Sequence, residues 1–100
     1  MTAGRASISS DILARYASDA AREVEGVRAL VESHLHRHRG ARIVEQEGET
    51  RVELHLEVEW GASIPEVGRA VQQRVRDYLT RMAEVEPTAV DVVVDEIAMP

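Results

Sequence analysis

The sequence predicts an α+β fold: a single two-layer domain in the order β-α-(α)-β-β-α-β, with a mostly antiparallel sheet and helices on one face. Three observations predict it. In "RVELHLEVEW", Val52, Leu54, Leu56, Val58 and Trp60 alternate with Arg51, Glu53, His55, Glu57 and Glu59. A strict period of two describes a strand with one buried and one solvated face. "SIPE", Ser63 to Glu66, is a capping box with Pro65 in the first turn, and Ile64, Val67, Val71, Val75, Tyr78, Leu79 and Met82 follow at helical spacing. In "AVDVVVDEI", Val90, Val92 and Val94 share one face of a last strand, with Asp91, Val93 and Asp95 opposite. A sheet and helices that are each apolar on one side bury those sides by packing as two layers.

The remaining elements follow in chain order. "GRASIS", Gly4 to Ser9, predicts a short first strand. Ser9 or Ser10 then caps a helix whose first turn carries Asp11 against the positive helix end. Ile12, Leu13, Tyr16, Ala17, Ala20 and Val24 form its apolar face, and Gly26 stops it. Val27, Leu30, Val31 and Leu35 fit a further short helix or helical turn ending at Gly40. Ala41 to Glu45 predicts a strand joined to the alternating one by a glycine-containing hairpin turn, "EGET", Glu47 to Thr50. Pro87 closes the second long helix. One domain spans residues 4–98, with no linker, repeat or low-complexity segment.

Composition narrows the function classes. The chain has 100 residues and a formal net charge of −6, a field that repels nucleic acids and anionic lipid surfaces. It has no Cys, hence no disulfide, thiol nucleophile or thiolate metal ligand. "MTAGRASISSD" lacks the apolar core of a signal peptide, and no apolar run reaches the ~20 residues of a spanning helix. The expectation is a soluble, cytoplasmic protein without direct membrane insertion.

Few residues invite chemistry. "HLHRHRG", His34 to Gly40, sets His34, His36 and His38 at alternate positions, a pattern whose imidazoles could hold Zn²⁺ on a helix or a strand. Arg37 and Arg39 oppose a cation there, and cationic residues before a terminal glycine are what a helix C-terminus favours. Arg37, Arg39 and Arg42 form a weak polyanion footprint with no aromatic among them. The chain has no Phe, and Tyr16 and Tyr78 fall on helices, so the sheet lacks the stacking platform of an RNA-binding domain. No serine sits in a nucleophile elbow, and there is no glycine-rich phosphate loop. No catalytic, cofactor or metal residues are assigned. The candidate interaction surface is Glu53, His55, Glu57 and Glu59 on the solvated strand face, Val93 as apolar surface beside them, and Trp60 with Gly61 at the strand end. Ile97 is placed with Val93. The helix start after Gly61 is expected to attract acidic partner groups.

"LEVEWGASIPEVGRAVQQRVRDYL", Leu56 to Leu79, resembles the signature of the alkaline shock protein (Asp/Gls envelope stress response) family. "GRASISSDILARYASDAAREVEGV" is similar to that family's first strand and helix, and "VDVVVDEI" to its terminal valine strand. Trp60 stands where the family has Tyr, Gly68 where it has Ala, and "MAEVEP" replaces a Met-Thr-Gly type helix end. The central connection is compact, "RALVESHLHRHRGAR". The resemblance implies a non-enzymatic stress-response factor of Gram-positive bacteria, cytoplasmic and self-associating, held at the inner membrane face through a small membrane-anchored partner. The expected function is therefore an interaction or scaffolding protein of the envelope stress response. The alternative is a His-dependent metal-binding or hydrolytic protein using His34, His36 and His38.

Overall fold

The computed structural model describes residues 7–32 and 40–100. The elements are α1 (Ser10–Arg22), β1 (Val27–Leu30), β2 (Ala41–Gln46), β3 (Glu49–Glu59), α2 (Ile64–Ala83) and β4 (Ala89–Ala98). β3 is the spine of the sheet. β2 pairs antiparallel with its first half, from Gln46↔Glu49 to Ala41↔Leu54, and β1 antiparallel with its second half, Val27↔Val58 and Leu30↔Leu56. β4 runs parallel along β3, from Arg51↔Ala89 to Glu59↔Ala98. Since β4 occupies one edge of β3, β1 and β2 share the other, end to end.

The two connections around β3 have different physical origins. β2 and β3 are joined by a tight turn in which Glu47 and Gly48 both take positive φ, 53° and 80°, the backbone whose twist matches a hairpin. β3 and β4 are parallel and need a crossover, which α2 supplies. Ser63 accepts from the Glu66 amide at 3.4 Å as the α2 N-cap, with Pro65 in the first turn.

Both helices pack on one face of the sheet. Val52, Leu54, Leu56 and Val58 of β3 are fully buried beneath Val67, Val71, Val75 and Leu79 of α2 and an alanine-rich side of α1, Ala14, Ala17, Ala20 and Ala21. Those small residues let α1 approach closely, and Tyr16 meets Tyr78 edge-on, ring centroids 5.7 Å apart, between the helices. At the helix ends, Ile12, Ile64 and Met82 are 46%, 41% and 45% exposed, so the apolar stripes read from the sequence outrun the core.

Two sequence expectations are corrected. Ser7 to Ser9 form no strand, and the rest of the expected first strand lies outside the described residues. The expected helix after Gly26 begins instead as β1. Its i, i+3 apolar pair, Val27 and Leu30, imitates a helix face because the strand is irregular between Val27 and Ala29. The extra residue, Arg28, brings both side chains to the helix-covered side, where regular alternation would have split them.

Candidate functional site

The face of the sheet turned away from the helices is built by register. Glu53 lies between Arg42 and Asp91, His55 beside Val93, and Glu57 beside Glu96. Charge pairs run across it: Arg42–Glu53 at 3.8 Å, Arg51–Asp91 at 3.1 Å and, at its far end, Arg28–Glu59 at 3.9 Å. Each is exposed enough that water and salt screen it, so these pairs fix side-chain positions more than they stabilise the fold. Arg42, grouped by sequence with Arg37 and Arg39, is engaged with Glu53.

His55 is the centre of this face. Its Nδ1 is 2.6 Å from Asp95 Oδ2 and its Nε2 3.0 Å from Glu53 Oε1, and its side chain is only 16% exposed. A neutral imidazole donates from one nitrogen only, so a ring bonded to two carboxylates favours the imidazolium. Burial pulls its pKa down, but the hydrogen bonds and Coulombic attraction of Asp95 and Glu53 outweigh it and hold the ring above its ordinary 6.5. With both nitrogens engaged, His55 is poorly placed to act as a base on a substrate. The two carboxylates approach opposite nitrogens and share no point where a cation could join them. Among the described residues no group of three or more His, Asp or Glu side chains could hold a metal ion.

Sequence reasoning named His55 and Glu53 for this surface and set Asp95 on the same face as Val93, but did not join Asp95 to His55. The β3–β4 register shifts between Leu56↔Val94 and Glu57↔Glu96, leaving Asp95 as the extra residue of a bulge beside His55. The same shift corrects the placing of Ile97. It pairs with Val58, on the helix side, while Val93, 38% exposed, stays on the open face. His55 also marks a break in the opposite edge. Its carbonyl accepts from Val31 N–H at 2.8 Å and its N–H donates to Gly40 O at 2.9 Å, so Val31 and Gly40 meet β3 at one residue. His34, His36 and His38 lie outside the described residues.

At the C-terminal end of β3 the chain turns through Trp60 and Gly61 (φ 85°), leaving Trp60 59% exposed. Hollows flank this turn. One, of about 730 Å³, lies towards the α1–β1 turn and is edged by Glu25, Glu59 and Glu66; the other, of about 280 Å³, is lined by Val58, Trp60, Ile64 and Ile97. Among the described residues no helix is long and apolar enough to cross a membrane.

The fold has solved counterparts. Two forms of the MamM CTD, one with zinc and one with manganese, each superpose with a TM-score of 0.56 at 13% identity, over 86% of this chain and 84% and 96% of theirs. A further zinc form gives 0.58 at 12% identity, over 90% of this chain and 87% of that one. Identity this low speaks for the fold alone. No curated protein matches the sequence. The sequence itself matches, over residues 1–99, the family described as having a cell envelope-related function. With nearly the whole length matched, the chain belongs to the alkaline shock protein (Asp/Gls) family.

Proposed function

We propose that this protein is a non-enzymatic interaction or scaffolding protein of the envelope stress response. It self-associates, works in the cytoplasm, and is docked to the inner membrane face through a membrane-anchored partner protein. One observation carries the reading. The sheet face without helices is a built surface, with Val93 set among fixed charges around His55, Glu53 and Asp95. Ordered side chains around a small apolar centre lose little freedom when a protein covers them, as interfaces with a polar rim do. The family's envelope-related description supports the setting.

Light scattering over a range of concentrations, with pull-down from a lysate, tests the reading. The expected result is an assembly larger than one chain and a recovered partner, at least one of them lost in Val93→Glu. A strict monomer at high concentration that recovers nothing would overturn it. So would micromolar Zn²⁺ binding abolished by His34→Ala with His38→Ala, which belongs to the metal-binding alternative.

A further inference from the structure

We infer that the turn at Trp60 is a docking site for a basic-apolar protein segment, one in which a Leu-like side chain neighbours an Arg or Lys. The inference rests on the interaction reading above and names the partner chemistry that one of its surfaces would take. The two hollows are adjacent, sharing Glu59, Trp60, Gly61 and Ala62, so Trp60 stands as a ridge between them. Their characters differ. The smaller is walled by Val58, Ile64 and Ile97, the last two 41% and 44% exposed, beside a Trp60 that is 59% exposed. Contiguous exposed apolar surface around an aromatic is what interaction sites use, and Trp is enriched where binding energy concentrates.

The larger hollow is acidic. Glu25, Glu59 and Glu66 edge it against a single cation, Arg74, which Glu23 already holds at 2.9 Å. Glu59 shares Arg28 at 3.9 Å, while neither Glu25 nor Glu66 makes an ion pair among the described residues. Carboxylates already surround the start of α2, so its rim repels the acidic groups that a bare helix N-terminus would attract and favours cations. The net charge of −6 steers in the same direction. A segment crossing the ridge therefore sets an apolar side chain on one side of Trp60 and a cationic one on the other. The floor is rigid. Gly26 sits so close to α2 that a Cβ there would meet Val67 Cγ2 at 2.6 Å. A site held in place this way loses little order on binding.

The test is fluorescence anisotropy of a short, capped, fluorescein-labelled peptide alternating leucine and arginine, at physiological salt. Partner peptides carry glutamate for arginine or serine for leucine. The expected result is micromolar binding of the first peptide and none of the others. Trp60→Ser, and separately Glu25→Gln with Glu66→Gln, should each weaken it at least tenfold. Glu47→Gln with Glu49→Gln, at the hairpin end of the sheet, should leave it unchanged. All these positions are exposed, and circular dichroism checks that each variant folds. Equal weakening by the hairpin variant would mean unspecific charge attraction and overturn the inference. So would a failure of the peptide to bind together with a dimer that Trp60→Ser makes monomeric, which assigns the patch to a second copy. If the peptide fails while lysate still yields a partner sensitive to Val93→Glu, this inference falls and the interaction reading stands.

Discussion

His55 Nδ1 lies 2.6 Å from Asp95 Oδ2, and Asp95 is the residue by which β4 exceeds β3 at that point. The bulge and the ion pair belong together. Were the register unbroken, Asp95 would pair with Glu57 on the open face, carboxylate against carboxylate, and Glu96 would turn to the helix side.

This contact sets a pH dependence. The groups facing His55 are Asp95 on β4 and Glu53 on β3, the latter also engaged by Arg42 of β2. The folded pKa of His55 is raised, so its contribution to stability is fully present below the unfolded value of 6.5 and is lost as pH rises through the folded pKa. Histidine proton resonances followed by NMR, with His55 assigned from a His55→Gln variant, should titrate above 6.5 in the native protein. Asp95→Asn should lower the midpoint, because burial then meets a weaker opposing attraction. An unchanged midpoint in Asp95→Asn would show that the bond does not hold the charge.

Ser18 is fully buried in α1, and its Oγ is the one buried side-chain polar atom among the described residues with no hydrogen-bond partner. An unsatisfied buried hydroxyl costs about 1–3 kcal/mol, and alanine is the better helix former. Ser18→Ala should stabilise the protein by about 1 kcal/mol, raising Tm by about 4–8 °C in calorimetry. A lower Tm would mean that the hydroxyl bonds back to its own helix.

Much of the architecture was legible because burial and periodicity coincide. β3 alternates strictly, and its even-numbered residues from Val52 to Val58 are the buried ones. Where alternation breaks, the sequence misled. The irregularity at Arg28 made a strand look helical, and the bulge at Asp95 moved Ile97 to the other face. Period-two reasoning assumes one residue per step, and a bulge violates that assumption without leaving a glycine or proline to mark it. The site was half legible for the same reason: the face of Glu53, His55, Glu57, Val93 and Asp95 follows from alternation, whereas the bond between Asp95 and His55 and the hollows beside Trp60 depend on long-range packing.

Glu47 occupies the first central position of the β2–β3 turn with φ 53°, a left-handed conformation that strains an ordinary side chain. Asparagine tolerates it, and Asn-Gly is the preferred pair for this turn. Glu47 is exposed, so replacing it removes no buried packing. Glu47→Asn should add about 0.5–1 kcal/mol in urea unfolding with an unchanged m-value. A loss of stability would indicate that the carboxylate has a role the backbone does not explain.

Glu84 presents the same strain at the end of α2. It takes φ 54°, its amide donates to Thr80 O at 3.1 Å, and the following Val85 amide donates to Leu79 O at 3.3 Å. The left-handed residue reverses the chain and satisfies the last carbonyls, a position where helices commonly use glycine. Two opposing effects decide Glu84→Gly. Relief of left-handed strain is worth roughly 1–2 kcal/mol, and the extra freedom of unfolded glycine takes back roughly 0.5–1 kcal/mol. The expected balance is a gain of about 0.5–1 kcal/mol by urea unfolding. Because Glu84 is exposed, no packing is lost with the side chain. Glu84→Ala supplies the control, since it removes the carboxylate but keeps the Cβ that clashes. If alanine stabilised as much as glycine, the strain would lie in the charge near the negative end of α2 rather than in the backbone.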